Sequence, residues 1–552
     1  MDLSMASYFM IIPLILYFVN KWIPYSRIIF IYTIILIVIV SAIYAGDAVL
    51  YREWGFRLDK SAFTYLTEFH EAASFVSIGN SITMVLLITF NIGIGILMFR
   101  KFYFKHSSVG SSWIYIFNFL ALPLLIIPMR GGLDIIPMNP GKVYFSSKPF
   151  LNHVALNVPW NILYSALQMN NPGSDLQFMK VEEADEILKN LFVDKNDQVD
   201  TILISQRPKI LFLVLESFTT KLIHKEFEGI EVTPRLNEWF EKGIYFSNAY
   251  ATGDRTEIGM ASIFSGFPGQ PQSAIVQYPR KSAQLPSLIQ KMKQVGYNSS
   301  FYYGGDASFA SMSSYFFNLG CDAIIDKHQF PKNSYNAKWG VHDHVLFEKL
   351  YDEIKTDSSQ FLKICLSLSS HPPYDFPETP TWKNNEEEVL FLNTAHYTDH
   401  HLGILLDKLK QLPLWNDLLV VLSADHGARL PGNDQYQTPQ KFRIPIWLGG
   451  GAVKKQLKMD QVVSQNDIAA TVLYQLGLTN DEFIFSKNIF SKSYKPFAYY
   501  AFNNGFGWVD EGGVQVFSND QKEIILKERN PVMDIQTGKA FLQKVLNEFN
   551  RM

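Results

Sequence analysis

The longest apolar runs of this chain all lie within its first 130 residues. Four of them, residues 7–19, 28–45, 75–99 and 113–129, are free of charged side chains. Apolar runs of about 20 residues suffice to cross a bilayer as helices. The pattern therefore predicts a transmembrane domain of about four helices over residues 1–130. The first run is short and contains Pro13, so a buried core helix remains an alternative for that segment.

Basic residues in the short loops predict the orientation of these helices. Lys21 and Arg27 lie in the first loop, and Arg100, Lys101 and Lys105 lie in the third. Loops rich in Lys and Arg stay on the cytoplasmic side. We therefore expect a multi-pass protein of the cell (cytoplasmic) membrane whose residues after 129 are extracytoplasmic. The same orientation places the amino terminus outside, so we expect a further span upstream of this sequence.

The pattern changes after residue 130. Residues 131–207 are rich in turn residues and predict a connector with an acidic helix near 181–190. Residues 208–488 then alternate between short apolar runs, which predict strands, and helical periodicity, a pattern typical of a doubly wound α/β sandwich. The predicted strands are 210–215, 298–303, 361–368, 418–422 and 444–448, and the predicted helices are 285–295, 345–354, 394–412 and 467–476. Residues 489–552 predict a small β-rich part that completes the same domain.

Composition narrows the class of protein. The net charge of −3 argues against nucleic acid as a partner, because nucleic-acid binding needs a basic face. Only two cysteines occur, Cys321 and Cys365, and the second lies inside an apolar strand. We expect two separate buried thiols rather than a disulfide.

Candidate chemistry follows two of the predicted strands. Glu216 comes directly after 210–215, and Asp425 with His426 follows 418–422. Ligands of open α/β sheets bind at the carboxyl ends of strands. Carboxylate and imidazole side chains there suit a divalent cation. Each acid alone could equally be a helix cap or a turn residue.

Thr256 precedes a short apolar helix in the segment 253–266. A hydroxyl at the positive end of a helix can serve as a nucleophile, particularly beside a metal. The alternative is an ordinary helix cap, a common role for threonine. With Glu216, Asp425 and His426 it would complete one metal site.

These residues resemble those of the lipoteichoic acid synthase-like phosphoglycerol transferases, a family within the alkaline phosphatase and sulfatase superfamily. The resemblance covers the apolar region as well as the later domain. The motifs that carry it are Arg130-Gly131-Gly132, Leu151-Asn152-His153, Glu216-Ser217, residues 253–266, Tyr303-Gly304-Gly305-Asp306, Trp339-Gly340-Val341-His342-Asp343, Ser370-His371-Pro372-Pro373 and residues 423–427.

The resemblance implies a role for each candidate residue. Glu216, Thr256, Asp425 and His426 would hold a divalent cation, with Mn2+ expected and Mg2+ or Zn2+ as alternatives, and Thr256 would be the nucleophile. His371 would face the phosphoryl group and bind an oxygen or protonate the leaving alkoxide. Arg255 would contact phosphate oxygens or else form an ion pair with Asp254 or Glu257.

One departure limits what the resemblance implies about the acceptor. The family carries a His and a Trp-x-Arg group that bind glycerol phosphate after the strand that ends here at Tyr303. The matching residues 303–312 contain no His, Trp or Arg. Tyr303 and Asp306 remain candidates for substrate contact together with His371, while Asp306 is equally consistent with a turn acid.

The expected activity is transfer of a phosphoglycerol group from phosphatidylglycerol, through a diester on Thr256, to a glycan or polyol-phosphate acceptor, with membrane lipids as partners. A phosphoethanolamine transferase is the closest alternative, and a sulfatase-fold phosphodiesterase or hydrolase is another. A sulfatase itself needs a Cys or Ser followed by Pro-x-Arg, which residues 256–260 lack. A non-catalytic envelope protein on the same fold would not need all four metal-site residues.

Residues 398–401, Thr-Asp-His-His, suggest a second metal cluster. The apolar spacing of Leu402, Leu405, Leu406 and Leu409 instead predicts an amphipathic helix with solvated histidines. We therefore expect a single-metal site.

Overall fold

The computed structural model describes residues 1–54, 57–58, 78–103, 112–134, 136–146, 149–167, 176–189, 191–192, 199–271, 273–503 and 505–552. The chain divides into two compact units, residues 1–170 and 171–552, called here the N-terminal unit and the C-terminal unit. The division falls within the segment 131–207 that the sequence presents as a connector.

The N-terminal unit is helical. Its helices are α1 (Asp2–Phe18), α2 (Tyr25–Trp54), α3 (Ile78–Tyr103), α4 (Ser112–Leu124), α5 (Ile126–Arg130), α6 (Pro149–Ala155) and α7 (Val158–Leu167), with a 3-10 turn at Pro140–Val143. Among the described residues, three helical stretches are long and apolar enough to cross a membrane, namely Tyr25–Tyr51, Ser81–Lys101 and Trp113–Arg130. The helix α1 is apolar but shorter. Few side chains of the three stretches are buried within the protein.

The C-terminal unit is built on a mixed sheet. Its strands are β1 (Lys209–Leu215), β4 (Ile244–Tyr250), β5 (Asn298–Tyr303), β6 (Ala323–Ile325), β7 (Phe361–Leu366), β8 (Leu418–Ala424), β9 (Arg443–Gly449), β10 (Leu457–Met459) and β11 (Val463–Ser464), and a separate hairpin joins β2 (Glu226–Phe227) to β3 (Ile230–Glu231). The order is β10-β4-β9-β8-β1-β7-β5-β6, with β11 also paired to β4. β1 pairs in parallel with β7 and β8, whereas β9 is antiparallel to both its neighbours. β1, β7 and β8 are buried along nearly their whole length, in keeping with their largely apolar sequences.

Helices cover this sheet. They are α8 (Val181–Leu188), α9 (Pro234–Phe240), α10 (Thr256–Ser265), α11 (Pro279–Ser282), α12 (Leu288–Gln294), α13 (Met312–Asn318), α14 (Asp343–Thr356), α15 (Glu387–Lys410), α16 (Pro439–Phe442), α17 (Asp467–Gln475) and α18 (Ile535–Arg551), with 3-10 turns at Thr220–Leu222, Ile275–Gln277, Phe309–Ser311, Lys327–Gln329, Lys332–Ser334 and Pro413–Asp417. The predicted α/β sandwich is confirmed.

A second sheet of four antiparallel strands forms the predicted β-rich tail: β12 (Phe497–Phe502), β13 (Gly505–Asp510), β14 (Gly513–Ser518) and β15 (Glu523–Arg529). The tail then ends in α18, a helix that the sequence analysis did not predict. Phe541 and Val545 of α18 are buried in the main core. Cys321 and Cys365 are buried and unpaired, as predicted.

The acidic helix α8 packs against α18 within the C-terminal unit. The Gln543 side chain receives hydrogen bonds from the backbone N–H groups of Phe178 (2.7 Å) and Met179 (3.0 Å), and donates one to the Met179 carbonyl (2.8 Å). Part of the predicted connector is therefore a packed element of this unit.

Candidate active site

Two strand ends and the start of one helix place the candidate residues at one edge of the sheet. Leu215 at the end of β1 is paired with Ala424 at the end of β8, so Glu216 and Asp425 follow adjacent strands in register. Thr256 is the first residue of α10. The structure thereby brings together Glu216, Thr256, Asp425 and His426, which lie up to 210 residues apart in the sequence.

Glu216, Asp425 and His426 each offer a ligand atom within 4.8 Å of the others. His426 Nε2 lies 3.7 Å from Glu216 Oε1 and 3.6 Å from Asp425 Oδ2. The other ring nitrogen, Nδ1, is 2.9 Å from the Gly427 carbonyl, so it carries the proton and donates to that oxygen. The Nε2 lone pair therefore faces the two carboxylates, as in a metal-binding imidazole.

Only one of the two Asp425 carboxylate oxygens accepts hydrogen bonds from the described residues. Its Oδ1 accepts hydrogen bonds from the backbone N–H groups of Ser217 (2.8 Å) and His426 (2.6 Å). Its Oδ2 is buried and accepts none from the described residues. A buried carboxylate oxygen without a donor is costly, and a cation would remove that cost.

Burial also changes the acidity of both carboxyl groups. It raises the pKa of Glu216 to about 7, and the charge of the neighbouring Asp425 adds to this shift. Burial likewise raises the pKa of Asp425 to about 6. Two buried acids side by side hold their negative charges poorly unless a cation lies between them. The residues present therefore fit a divalent cation with mixed oxygen and nitrogen ligands.

Thr256 joins this cluster through its hydroxyl group, which donates a 3.3 Å hydrogen bond to Glu216 Oε2. The cap position of α10 is occupied by Arg255, and no side-chain cap is formed there. The alternative of Thr256 as an ordinary helix cap is thus wrong. Its oxygen instead lies at the positive end of a ten-residue helix and beside a carboxylate that can accept its proton.

Arg255 is 39% exposed and makes only long contacts with the two acids proposed as ion-pair partners. Its guanidinium lies 4.0 Å from Asp254 and 3.8 Å from Glu257. Asp254 has a closer cation in Lys441 at 2.7 Å, and Glu257 accepts a 2.9 Å hydrogen bond from Gln277. Arg255 therefore keeps donors available toward the solvent side of the site.

His371 and Tyr303 both lie near the cluster. A positive charge on His371 would oppose the rise in the pKa of Glu216. The His371 ring packs edge-on against Trp339 with the ring centroids 5.2 Å apart. Tyr303 is buried at the end of β5. Burial, together with the charges of Glu216 and Asp425, raises the pKa of Tyr303 well above its usual value, so the phenol stays protonated.

Asp306 is held by its own turn. Its carboxylate accepts hydrogen bonds from the backbone and side chain of Ser308 (2.9 and 2.5 Å) and lies 3.2 Å from the Lys327 ammonium. Burial opposes its ionisation, but these contacts outweigh burial and lower the pKa of Asp306. The arrangement matches the turn-acid alternative. His328 also lies near Asp306, at 3.6 Å, but the Lys327 cation already neutralises this group.

The Thr398–His401 segment lies in α15, as predicted. His400 is exposed, whereas Asp399 is buried. The Asp399 carboxylate accepts hydrogen bonds from the N–H groups of Arg235 (2.9 Å) and Leu236 (2.7 Å) at the start of α9. His401 donates toward Glu378 at 2.7 Å. Asp399 therefore caps a neighbouring helix and is not available to a metal.

Two supporting residues were missed by the sequence reasoning. Gln465 is fully buried, and its amide donates to the carbonyl oxygens of Ala424 (2.8 Å) and Asp425 (2.7 Å). The sequence signal that could have identified Gln465 is its position directly after the short strand β11. Polar residues are common at strand ends, so this position alone does not indicate a role. Nothing local identifies the partner 40 residues away.

The second missed residue is Asp343, which belongs to a quoted motif but received no role. Its carboxylate accepts hydrogen bonds from the N–H groups of Leu368 (2.7 Å) and Ser369 (3.2 Å) and from the Thr398 hydroxyl (2.7 Å). It thereby fixes the turn that carries His371.

Comparison with known proteins agrees with this architecture. The sulfatase family matches residues 208–478. Lipoteichoic acid synthase 2 of Bacillus subtilis is 24% identical over 313 residues, 52% of this chain and 48% of that protein. The chain spans about half the length of the curated relatives it matches.

Two solved structures share the fold. A protein of the alkaline phosphatase superfamily from Vibrio parahaemolyticus has a TM-score of 0.58 and 22% identity, covering 67% of this chain and 95% of its own. A lipoteichoic acid synthase from Listeria monocytogenes has a TM-score of 0.54 and 20% identity, covering 68% of this chain and 99% of its own. Residues 208–478 of this chain therefore form a sulfatase-family domain, and the chain is similar to lipoteichoic acid synthases over about half of its length.

Proposed function

We propose that this protein transfers a phosphoglycerol group from phosphatidylglycerol to a hydroxyl group of a glycan or polyol-phosphate acceptor. The observation that carries the proposal is the position of the Thr256 hydroxyl, which lies at a helix amino terminus and hydrogen-bonds to Glu216 of the Glu216–Asp425–His426 cluster. Sequence relatives named lipoteichoic acid synthases support the class of reaction. The long apolar helices of the N-terminal unit suit a lipid donor.

The cluster would hold a divalent cation, for which Mn2+ is our first choice and Mg2+ or Zn2+ are the alternatives. Glu216, Asp425 and His426 supply ligand atoms, with the Thr256 oxygen beside them. Such a cation supplies Lewis acidity, stabilising negative charge on the nucleophile and on the phosphoryl oxygens.

In the first step, the Thr256 oxygen attacks phosphorus, and its proton leaves along the hydrogen bond to Glu216. The Oγ1–P bond forms as the P–O bond to diacylglycerol breaks, and the leaving alkoxide takes a proton from His371. The positive end of α10 favours the anionic oxygen. Arg255, half-exposed beside Thr256, can bind phosphoryl oxygens.

In the second step, an acceptor hydroxyl attacks the phosphorus of the Thr256 diester. Its proton passes to His371, which gave one up in the first step, and the new O–P bond forms as the Thr256–P bond breaks. Glu216 returns the proton that it received in the first step to the threonine oxygen. Because the residues that match the family's glycerol-phosphate pocket are absent from 303–312, the acceptor is left open between a glycan and a polyol phosphate.

Mass spectrometry of the full chain incubated with phosphatidylglycerol and Mn2+ tests the proposal. We expect a glycerophosphoryl adduct on Thr256 that persists in Thr256→Ser, which keeps a hydroxyl, and disappears in Thr256→Ala. An ethanolamine-phosphate adduct formed only from phosphatidylethanolamine would instead identify a phosphoethanolamine transferase. Absence of any adduct in the presence of each lipid would contradict the transferase mechanism.

A further inference from the structure

The N-terminal unit contains a cavity of about 300 Å3 between α1, α5, α7 and the segment after α5. Its walls include Tyr8, Met129, Met138, Trp160 and Leu163. Among the described residues that line it, Arg130 carries the charge, and the others are aromatic, aliphatic or proline. The volume lies at the small end of the range for ligand pockets, where apolar walls and a few polar groups are usual.

Hydrogen bonds between the helices fix the walls. Ser4 of α1 donates to the Met129 carbonyl at 2.8 Å, and the buried indole N–H of Trp160 donates to the Ser4 hydroxyl at 3.1 Å. Trp160 also stacks on Tyr164 with ring centroids 4.8 Å apart. These hydrogen bonds join α1, α5 and α7, so contacts between the helices hold the walls of the cavity in place.

The Arg130-Gly131-Gly132 motif shapes the same cavity. Gly131 adopts a left-handed conformation, with φ at 92°, and ends α5. A Cβ atom on Gly131 would come within 2.8 Å of the Met138 side chain. The Met138 N–H donates to the Arg130 carbonyl at 2.7 Å, so the chain folds back over the helix end. Gly131 therefore allows Met138 to form a wall beside Arg130.

The position of Arg130 indicates the class of ligand. Arg130 is the last residue of the stretch Trp113–Arg130, which is long enough to span the membrane. The end of such a span lies at the depth of lipid head groups, where Arg and aromatic residues are enriched. Leu167 and Ile126, which also line the cavity, are 72% and 62% exposed and so are available to acyl chains.

We propose that this cavity binds the head group of an anionic glycerophospholipid. The Arg130 guanidinium binds the phosphodiester, for which its planar donors are well suited, and the aromatic and aliphatic walls pack against the glycerol and the first acyl carbons. The inference rests on the proposed function for the choice of phosphatidylglycerol as the lipid. It adds a lipid site formed by residues of the N-terminal unit alone, none of which belongs to the Glu216–Asp425–His426 cluster.

Native mass spectrometry of the full chain carrying Thr256→Ala tests the inference without turnover of the lipid. The protein is incubated with equal amounts of phosphatidylglycerol and phosphatidylethanolamine, and the retained lipids are counted. We expect phosphatidylglycerol to be retained preferentially. Arg130→Gln should lower its retention about tenfold, the effect of losing charge-assisted hydrogen bonds, and Arg130→Lys should keep the preference. Leu163→Trp, which fills the cavity without changing its charge, should lower retention of both lipids.

Arg100→Gln is the matched control, because Arg100 lies in the last turn of α3 and does not line the cavity. It should retain phosphatidylglycerol as the parent does. Equal retention by the parent and Arg130→Gln, or equal retention of the two lipids, would overturn the inference. If the inference is overturned in this way but the unsubstituted protein still forms the Thr256 adduct, the proposed transfer reaction remains supported. If phosphatidylglycerol is retained selectively but no adduct forms on Thr256, the transfer reaction is refuted and the lipid site in the N-terminal unit remains supported.

Discussion

Thr256 shows how one residue acquires its chemistry from its partner rather than from its own position. A threonine at the start of a helix usually satisfies backbone N–H groups. Here the hydroxyl points to Glu216, and the two residues are 40 positions apart in the sequence. Because Glu216 is 2% exposed, the interaction occurs away from bulk water, where electrostatic effects are stronger.

Gln465 supports the proposed metal ligands through their backbone. Its side-chain amide donates hydrogen bonds to the carbonyl oxygens of Ala424 and Asp425. We expect Gln465→Ala to weaken binding of Mn2+ about 10- to 100-fold, the range observed when residues that orient metal ligands are removed. Titration of the metal-free protein with Mn2+, followed by calorimetry, measures this directly.

Gln461→Ala is the control for that measurement, because Gln461 lies on the same segment but donates to Ile489 instead. Its Mn2+ affinity should equal that of the parent. If Gln465→Ala bound Mn2+ as tightly as the parent, the positioning role assigned to Gln465 would be wrong.

At the scale of elements, the site depends on how closely α10 approaches the end of β8. A Cβ atom on Gly259 of α10 would lie 2.0 Å from the Asp425 carbonyl oxygen. The neighbour is backbone, so it cannot rotate away as a side chain could. Glycine at 259 is therefore what allows Thr256, one turn earlier, to reach the carboxylates.

Gly259→Ala should separate α10 from β8. We expect a loss of about 1–3 kcal/mol in stability, typical of overpacking, together with loss of Mn2+ binding and of the Thr256 adduct. Thermal unfolding and Mn2+ titration measure the two effects. Gly93→Ala is the control, since a Cβ atom there meets nothing within 4 Å. Normal Mn2+ affinity in Gly259→Ala would contradict the close-packing argument.

At the scale of the whole molecule, the two buried cysteines make the predicted orientation testable. Cys321 and Cys365 are inaccessible in the folded protein, so an introduced cysteine dominates labelling by a membrane-impermeant maleimide. We expect Asp520→Cys, in an exposed hairpin of the C-terminal unit, to be labelled in intact cells. Lys21→Cys, in the first loop of the N-terminal unit, should react only after permeabilisation. The opposite pattern would place the C-terminal unit in the cytoplasm.

The sequence by itself determined the features that depend on local patterns. Apolar runs predicted the three helical stretches that are long and apolar enough to cross a membrane, because the length of an uncharged run sets how far its helix can reach. Strands β1 and β8 were predicted to within two residues at each end, because buried strands read as nearly continuous apolar segments. Polar residues directly after such runs gave Glu216 and Asp425 as candidates.

The tail shows where local pattern reading failed. Residues 535–551 form an amphipathic helix whose buried face includes Phe541, Val545 and Phe549. The sequence reading extended the β-rich tail through this segment, although the spacing of its apolar residues is helical. The helix forms because that face is buried against the core of the C-terminal unit.

Tertiary structure decided the remaining features. The order of the strands makes β1 and β8 neighbours, and only this adjacency sets Glu216 beside Asp425. The same packing gave Gln465 and Asp343 their supporting contacts, and it committed Asp399 to the backbone N–H groups at the start of α9. Hydrophobic periodicity records which face of an element is buried but not which element covers it, so contacts between distant segments are set only when the chain has folded.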